Sequence, residues 1–173
     1  MENSLVSAHF DGFGCLTSFV DKKAGREVVP AGSVGNVFKF YEDIPLFWDA
    51  WDVEVYHLEK GWEVSHLKAT GEVSPDNTPE VGALRFTLQL SDTSKLSLSI
   101  SLEAHSRRLT FACDVDWNEN RRFLKVEFPV NIRSDHATYD VQFGILRRPT
   151  HYNTSWDLGL HSSSSFKKKY INK

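Results

Sequence analysis

The chain has little cysteine, no long apolar run, no helical periodicity and no block of single-sign charge in its body. Each absence closes off a class of protein. Two cysteines, Cys15 and Cys113, among 173 residues cannot build a disulfide scaffold, and they suit a reducing compartment. No apolar stretch approaches the ~20 residues of a membrane helix. Met1 to Phe10 places Glu2 early and has no apolar h-region, so no secretory signal is read there. The sequon Asn153-Thr154-Ser155 is then a chance match. A soluble, cytoplasmic chain is expected, with no membrane partner. The net charge is −3 with both signs scattered, which excludes the basic stripe that steers nucleic acid.

Motifs of known chemistry are missing as well. Seven histidines, His9, His57, His66, His105, His136, His151 and His161, include no HExxH, and neither cysteine sits in a CxxC. No metal site and no cofactor are assigned to this chain. GxSxG and GxxxxGK[ST] are absent too, which removes the parts for acyl transfer and nucleotide hydrolysis.

What the sequence does have is alternation. Leu84, Phe86, Leu88 and Leu90 face one way, with Arg85, Thr87 and Gln89 between them. Leu96, Leu98, Ile100 and Leu102 alternate with Ser97, Ser99 and Ser101. Period two is the mark of a strand, because successive side chains point to opposite faces. Leu109, Phe111, Cys113, Val115 and Trp117 repeat it, then Leu124 to Val130, then Tyr139, Val141, Phe143 and Ile145. Near the start, Asp11-Gly12-Phe13-Gly14 separates two apolar runs, Leu5 to Phe10 and Cys15 to Val20, as a hairpin turn does. Ser74-Pro75-Asp76-Asn77 reads as a turn cluster. Short connections imply antiparallel pairing. The expected fold is therefore all-β, a two-layer antiparallel sandwich. Phe86, Phe111, Trp117, Phe128 and Phe143 are expected in its core.

One stretch escapes that rhythm. Tyr41 to Tyr56 reads YEDIPLFWDAWDVEVY and mixes five aromatics with five acids. Aromatic faces beside carboxylates suit a sugar: its C–H face packs on the ring, and its hydroxyls donate to ionised oxygens. A buried turn with Asp49 and Asp52 capping backbone N–H groups accounts for the same residues. Asp49 and Asp52 are also candidates for a glycosidase pair, which needs carboxyls ~5–9 Å apart. A second polar cluster, Arg147 to Asp157, holds Arg147, His151, Asn153, Trp156 and Asp157 after a strand, where loops often carry function. From Leu158 the chain turns serine-rich and then lysine-rich, and residues 158–173 are expected to be a disordered tail after a domain of residues 1–157.

YEDIPLFWDAWDVEVYHLE, with FLKVEFPV (Phe123 to Val130), ATYDVQFG (Ala137 to Gly144) and RPTHYNTSWD (Arg148 to Asp157), resembles the C-terminal region of family 38 α-mannosidases. The likeness is to the cytosolic class 2C branch, which trims free oligosaccharides. It runs in order from about Glu2 to Asp157 and includes LTSFVDKKAGRE and AGSVGN. The resemblance implies a β-sandwich of the mutarotase-like supersandwich kind, incomplete here at its C-terminal end. It implies that the zinc ion and the aspartate nucleophile belong to an α/β barrel outside this chain, so no catalytic residue is carried over. It implies that the sandwich packs on its own barrel and helps to wall the pocket for a mannose-containing oligosaccharide. Tyr41, Asp49, Trp51 and Asp52, with Arg148, His151 and Asn153, are the candidates for that wall. The tail after Asp157 departs from the family pattern, as a truncated product, a splice form or a gene-model error would. The leading expectation is a noncatalytic, carbohydrate-contacting piece of an α-mannosidase. The alternatives are a stand-alone carbohydrate-binding module and an active glycosidase using Asp49 and Asp52.

Overall fold

The computed structural model describes residues 1–48, 53–64, 74–75, 78–151 and 153. They form twelve strands and one 3₁₀ turn, Val55–Glu59, and every strand pairing with a defined register is antiparallel. The all-β, antiparallel class read from the alternation is the one observed. No helix among the described residues is long and apolar enough to cross a membrane.

The chain divides into two compact units. The first comprises Met1–Phe40, Trp62–Asn120 and Leu124–Asn131, and the second Tyr41–Gly61, Arg121–Phe123 and Ile132–Lys173. In the first unit, β1 (Val6–Phe10), β2 (Leu16–Asp21) and β3 (Arg26–Glu27) form one sheet in that order. Asp11 closes the first hairpin by accepting from the backbone N–H groups of Phe13 and Cys15, both at 2.9 Å. Gly14 sits there at φ 80°, where a Cβ would also come within 3.2 Å of Phe86 and Leu98. Glycine therefore meets both a conformational and a packing demand.

A second sheet has the order β6-β7-β8-β9, from Ser74–Pro75, Val81–Gln89, Lys95–Glu103 and Leu109–Asp116. β7 and β8 pair along nine residues each, from Val81↔Glu103 to Gln89↔Lys95. Leu96, Leu98, Ile100 and Leu102 are buried on β8, while its serines and end charges face outward or lie half-exposed. A third sheet has the order β10-β4-β5, from Arg122–Glu127, Val37–Glu42 and Gly61–Glu63.

The main core joins the last two sheets within the first unit. Phe38 and Phe40 of β4 and Val64 just after β5 pack with Phe86, Leu88 and Leu90, and with Leu96, Leu98 and Ile100. Two sheet faces sharing one apolar layer make this a sandwich core. Full burial of each such side chain contributes about 1.5–3 kcal/mol relative to exposure. On the other face of β4, Lys39 lies 2.8 Å from Glu127 of β10 and 3.8 Å from Glu63 of β5. The Glu127 hydrogen bond outweighs burial and holds the Lys39 ammonium above its usual range.

The structure corrects several sequence expectations. Tyr139 to Ile145 is not one strand but a hairpin: β11 (His136–Val141) pairs with β12 (Gly144–Pro149), with Val141 opposite Gly144. Phe143 is the tip of that hairpin, fully exposed at φ 65°, and is no core residue. Phe128 is 41% exposed, although its ring meets Phe111 edge-on at 5.1 Å. Cys113 and Val115 on β9 are exposed because that strand lies at the sheet edge. Ser74 and Pro75 form a short edge strand opposite Arg85 and Leu84, a position in which proline costs no ladder bond. Asp76 and Asn77 lie outside the described residues.

Candidate functional site

The irregular stretch after β4 belongs wholly to the second unit. At its base, Tyr41 is buried and stacks on Phe123 with ring centroids 5.4 Å apart and planes 18° apart. His57 meets Tyr41 edge-on at 5.2 Å and Phe123 at 5.1 Å. Such offset and edge geometries suit the ring quadrupoles and add to the area term. The His57 Nδ1 lies 2.6 Å from the Glu54 carbonyl oxygen. A carbonyl only accepts, so Nδ1 carries the proton in this contact. Gly61 passes beneath the Tyr41 ring, so close that an added Cβ would lie 2.5 Å from Cε1.

Backbone bonds frame this cluster. The Asp43 N–H donates to the Arg121 carbonyl at 2.8 Å, and the Glu42 N–H to the Lys60 carbonyl at 3.1 Å. The Lys60 ammonium reaches Glu42 at 2.9 Å. The 3₁₀ turn is closed by His57 N–H to Glu54 oxygen at 3.3 Å and Lys60 N–H to His57 oxygen at 3.1 Å. Glu54 also accepts from the Leu46 N–H at 3.4 Å. Between these anchors the loop presents its apolar side chains outward: Leu46, Phe47 and Trp48 are 68%, 73% and 76% exposed.

Of the expected wall residues, Tyr41 is therefore a buried ring in the cluster with His57 and Phe123. His151 and Asn153 are exposed beyond the end of β12. Arg148 is half-buried, its guanidinium 5.9 Å from the Tyr139 ring centroid. Thr150 fixes the chain just before His151 by donating its N–H to the Asp135 carbonyl at 3.0 Å and its hydroxyl to the Ser134 carbonyl at 2.7 Å. Asp49, Trp51 and Asp52 lie outside the described residues. Sequence reasoning did not single out His57 or Phe123, because Phe123 reaches Tyr41 and His57 from a strand far along the chain. Among the described residues, no three His, Cys, Asp or Glu side chains converge as a metal site.

A model of the glycosyl hydrolases family 38 C-terminal domain matches residues 1–165. The chain belongs to this family. Alpha-mannosidase 2C1 of Mus musculus is 45% identical over 157 residues, which are 91% of this chain and 15% of the mouse protein. Alpha-mannosidase 2C1 of Homo sapiens gives the same identity and the same shares. The Alpha-mannosidase of Saccharomyces cerevisiae is 41% identical over 157 residues, covering 84% of this chain and 14% of its own length. The chain thus spans about 15% of the length of the curated relatives it matches. For the family 38 C-terminal domain in hand, the sandwich core of the first unit and the framed loop of the second are what this share of the sequence builds.

Proposed function

We propose that this chain is the carbohydrate-contacting C-terminal sandwich of an α-mannosidase that works in the cytoplasm on mannose-containing free oligosaccharides. The supporting observation is the family match over residues 1–165 together with 45% identity to Alpha-mannosidase 2C1 across 91% of the chain. In this reading the sandwich packs on a catalytic barrel that supplies the zinc and the nucleophile. These 173 residues supply no catalytic group of their own. Asp49, Trp51 and Asp52, with His151 and Asn153, line the sugar cleft, and Tyr41 holds the segment from beneath. Carboxylates accept from sugar hydroxyls, and an indole covers the C–H face of the ring. Residues 1–157 carry this role.

The test is hydrolysis of an aryl α-mannoside by the purified chain, with and without added zinc. No turnover above buffer is expected. Turnover by the chain alone would reject the proposal and favour a glycosidase using Asp49 and Asp52. Tight, saturable mannose binding lost on Trp51→Ala would instead favour a stand-alone binding module.

A further inference from the structure

β9 (Leu109–Asp116) is the outer strand of its four-stranded sheet, and among the described residues no strand pairs with its far side. Its last five residues, Ala112 to Asp116, are all exposed. Two of them belong to the inward face: Cys113 stands opposite Leu98 and Val115 opposite Leu96, both core leucines of β8. The apolar layer therefore runs out to an uncovered rim, next to an open row of backbone groups. Such an edge is a template for another strand. The charges on β9 specify which strand fits. Asp114 and Asp116 stand at its C-terminal end, and Arg108 immediately before its first residue, all three exposed. A copy laid parallel and in register would set aspartate on aspartate, which is unfavourable. A copy laid antiparallel sets the arginine end on the acidic end.

Side-chain direction then fixes the register. Residues directly opposite in an antiparallel pair lie on the same face, so a slip of one residue would set apolar side chains against charged ones. We infer that β9 pairs antiparallel with β9 of a second copy of this chain, about a two-fold axis at Ala112. On the inner face Val115 then opposes Leu109, and Cys113 opposes Phe111. On the outer face Asp114 meets the hydroxyl of Thr110, a donor to its carboxylate, and Asp116 meets Arg108. Lys95 of the same chain lies 3.8 Å from Asp116 and shares that carboxylate. The next allowed register on one side sets Cys113 on Cys113 and leaves Arg108 without an acid. The next on the other side sets Arg107 against Val115. The contact is isologous and joins two sheets into one. A single strand pair falls below the about 1,200 Å² at which stable interfaces begin, so the association is weak and concentration-dependent.

The test is sedimentation equilibrium of the full 173-residue chain over a concentration series at low salt. The expected result is a mass that climbs from one chain toward two. Arg108→Asp should weaken the association by about tenfold or more, because like charges then oppose each other at both ends of the pair. Adding Asp116→Arg to that variant should restore it. Oxidation supplies a second measurement. Ala112→Cys in a Cys113→Ser chain should form an inter-chain disulfide, since residues opposed at the axis have Cα atoms about 4.5–5.5 Å apart. Cys113 of the parent is diagonal to its own copy at about 7–8 Å and should not cross-link. A chain that stays single at every concentration would overturn the inference. So would an association indifferent to Arg108→Asp, or cross-linking through Cys113 in place of the cysteine at position 112. Should Arg108→Asp lower the melting midpoint, the cross-linking result alone decides.

Discussion

The ring of Tyr41 lies across the backbone of Gly61 with no room for a side chain between them: a Cβ there would stand 2.5 Å from Cε1 and 2.8 Å from Cδ1. Tyr41 cannot yield easily, being stacked on Phe123 and met edge-on by His57. Gly61→Ala should therefore destabilise the second unit by about 1–3 kcal/mol, the usual cost of overpacking. Urea unfolding followed by near-UV circular dichroism, which reports these rings, checks it.

Leu98 is 1% exposed at the middle of the main core. Leu98→Ala should cost about 2–5 kcal/mol, the transfer term plus the cavity left behind. Serine neighbours such as Ser97, which is exposed, should tolerate alanine within about 0.5 kcal/mol. Denaturant midpoints of the two variants give the contrast directly.

The β7–β8 pair was fully legible because each inward leucine or isoleucine is separated from the next by a polar residue, and the buried positions are the ones the rhythm names. Phe143 was misread because a period-two pattern continues through a two-residue loop when the loop has no Asn-Gly or Asp-Gly to mark it. Gln142-Phe143 turns the chain with a phenylalanine at positive φ. The exposure of Cys113 and Val115 was not legible, for a different reason. Alternation shows which face a residue is on, but not whether the face is covered, and β9 is an edge strand. At the candidate site, the aromatic and acidic mixture was visible at once. The burial of Tyr41 was not, since it depends on Phe123 arriving from a distant strand.

Glu27 replaces part of the ladder at β3. Its Oε1 accepts from the backbone N–H groups of Phe19 at 2.8 Å and Val29 at 2.9 Å, and its Oε2 from the Ser18 hydroxyl at 2.6 Å. Burial pushes its pKa up, but the Ser18 and backbone donors outweigh it and hold the carboxyl below the ordinary 4.5. A depressed folded pKa gives stability that is complete above the unfolded value and lost as pH falls through the folded one. Glu27→Gln should cost about 1–3 kcal/mol at pH 7, as loss of charge-assisted bonds does. Below pH 4.5 the stability of the variant should fall less steeply than that of the parent. Melting midpoints of both chains across that range check the sign.

The two thiols should differ in reactivity. Cys15 is buried, and desolvation with the nearby Asp11 charge pushes its thiol up to about 11. Cys113 is on an exposed position, with burial of its sulfur raising it by a smaller amount. The thiolate is the reactive form. Native chain at pH 8–8.5 (roughly the free-thiol pKa) should take up one equivalent of an alkylating reagent, at Cys113, and a second only on denaturation. Peptide mass mapping after pulse labelling distinguishes the sites.

If these residues do for an α-mannosidase what the matching segment of its relatives does, they should sustain turnover in its place. The direct measurement replaces the matched segment of mouse Alpha-mannosidase 2C1 with the 157 aligned residues of this chain and assays a soluble, folded chimaera on an aryl α-mannoside. Turnover within about tenfold of the mouse enzyme is expected, a barrier change of no more than about 1.4 kcal/mol. A chimaera that folds and does not turn over would contradict it.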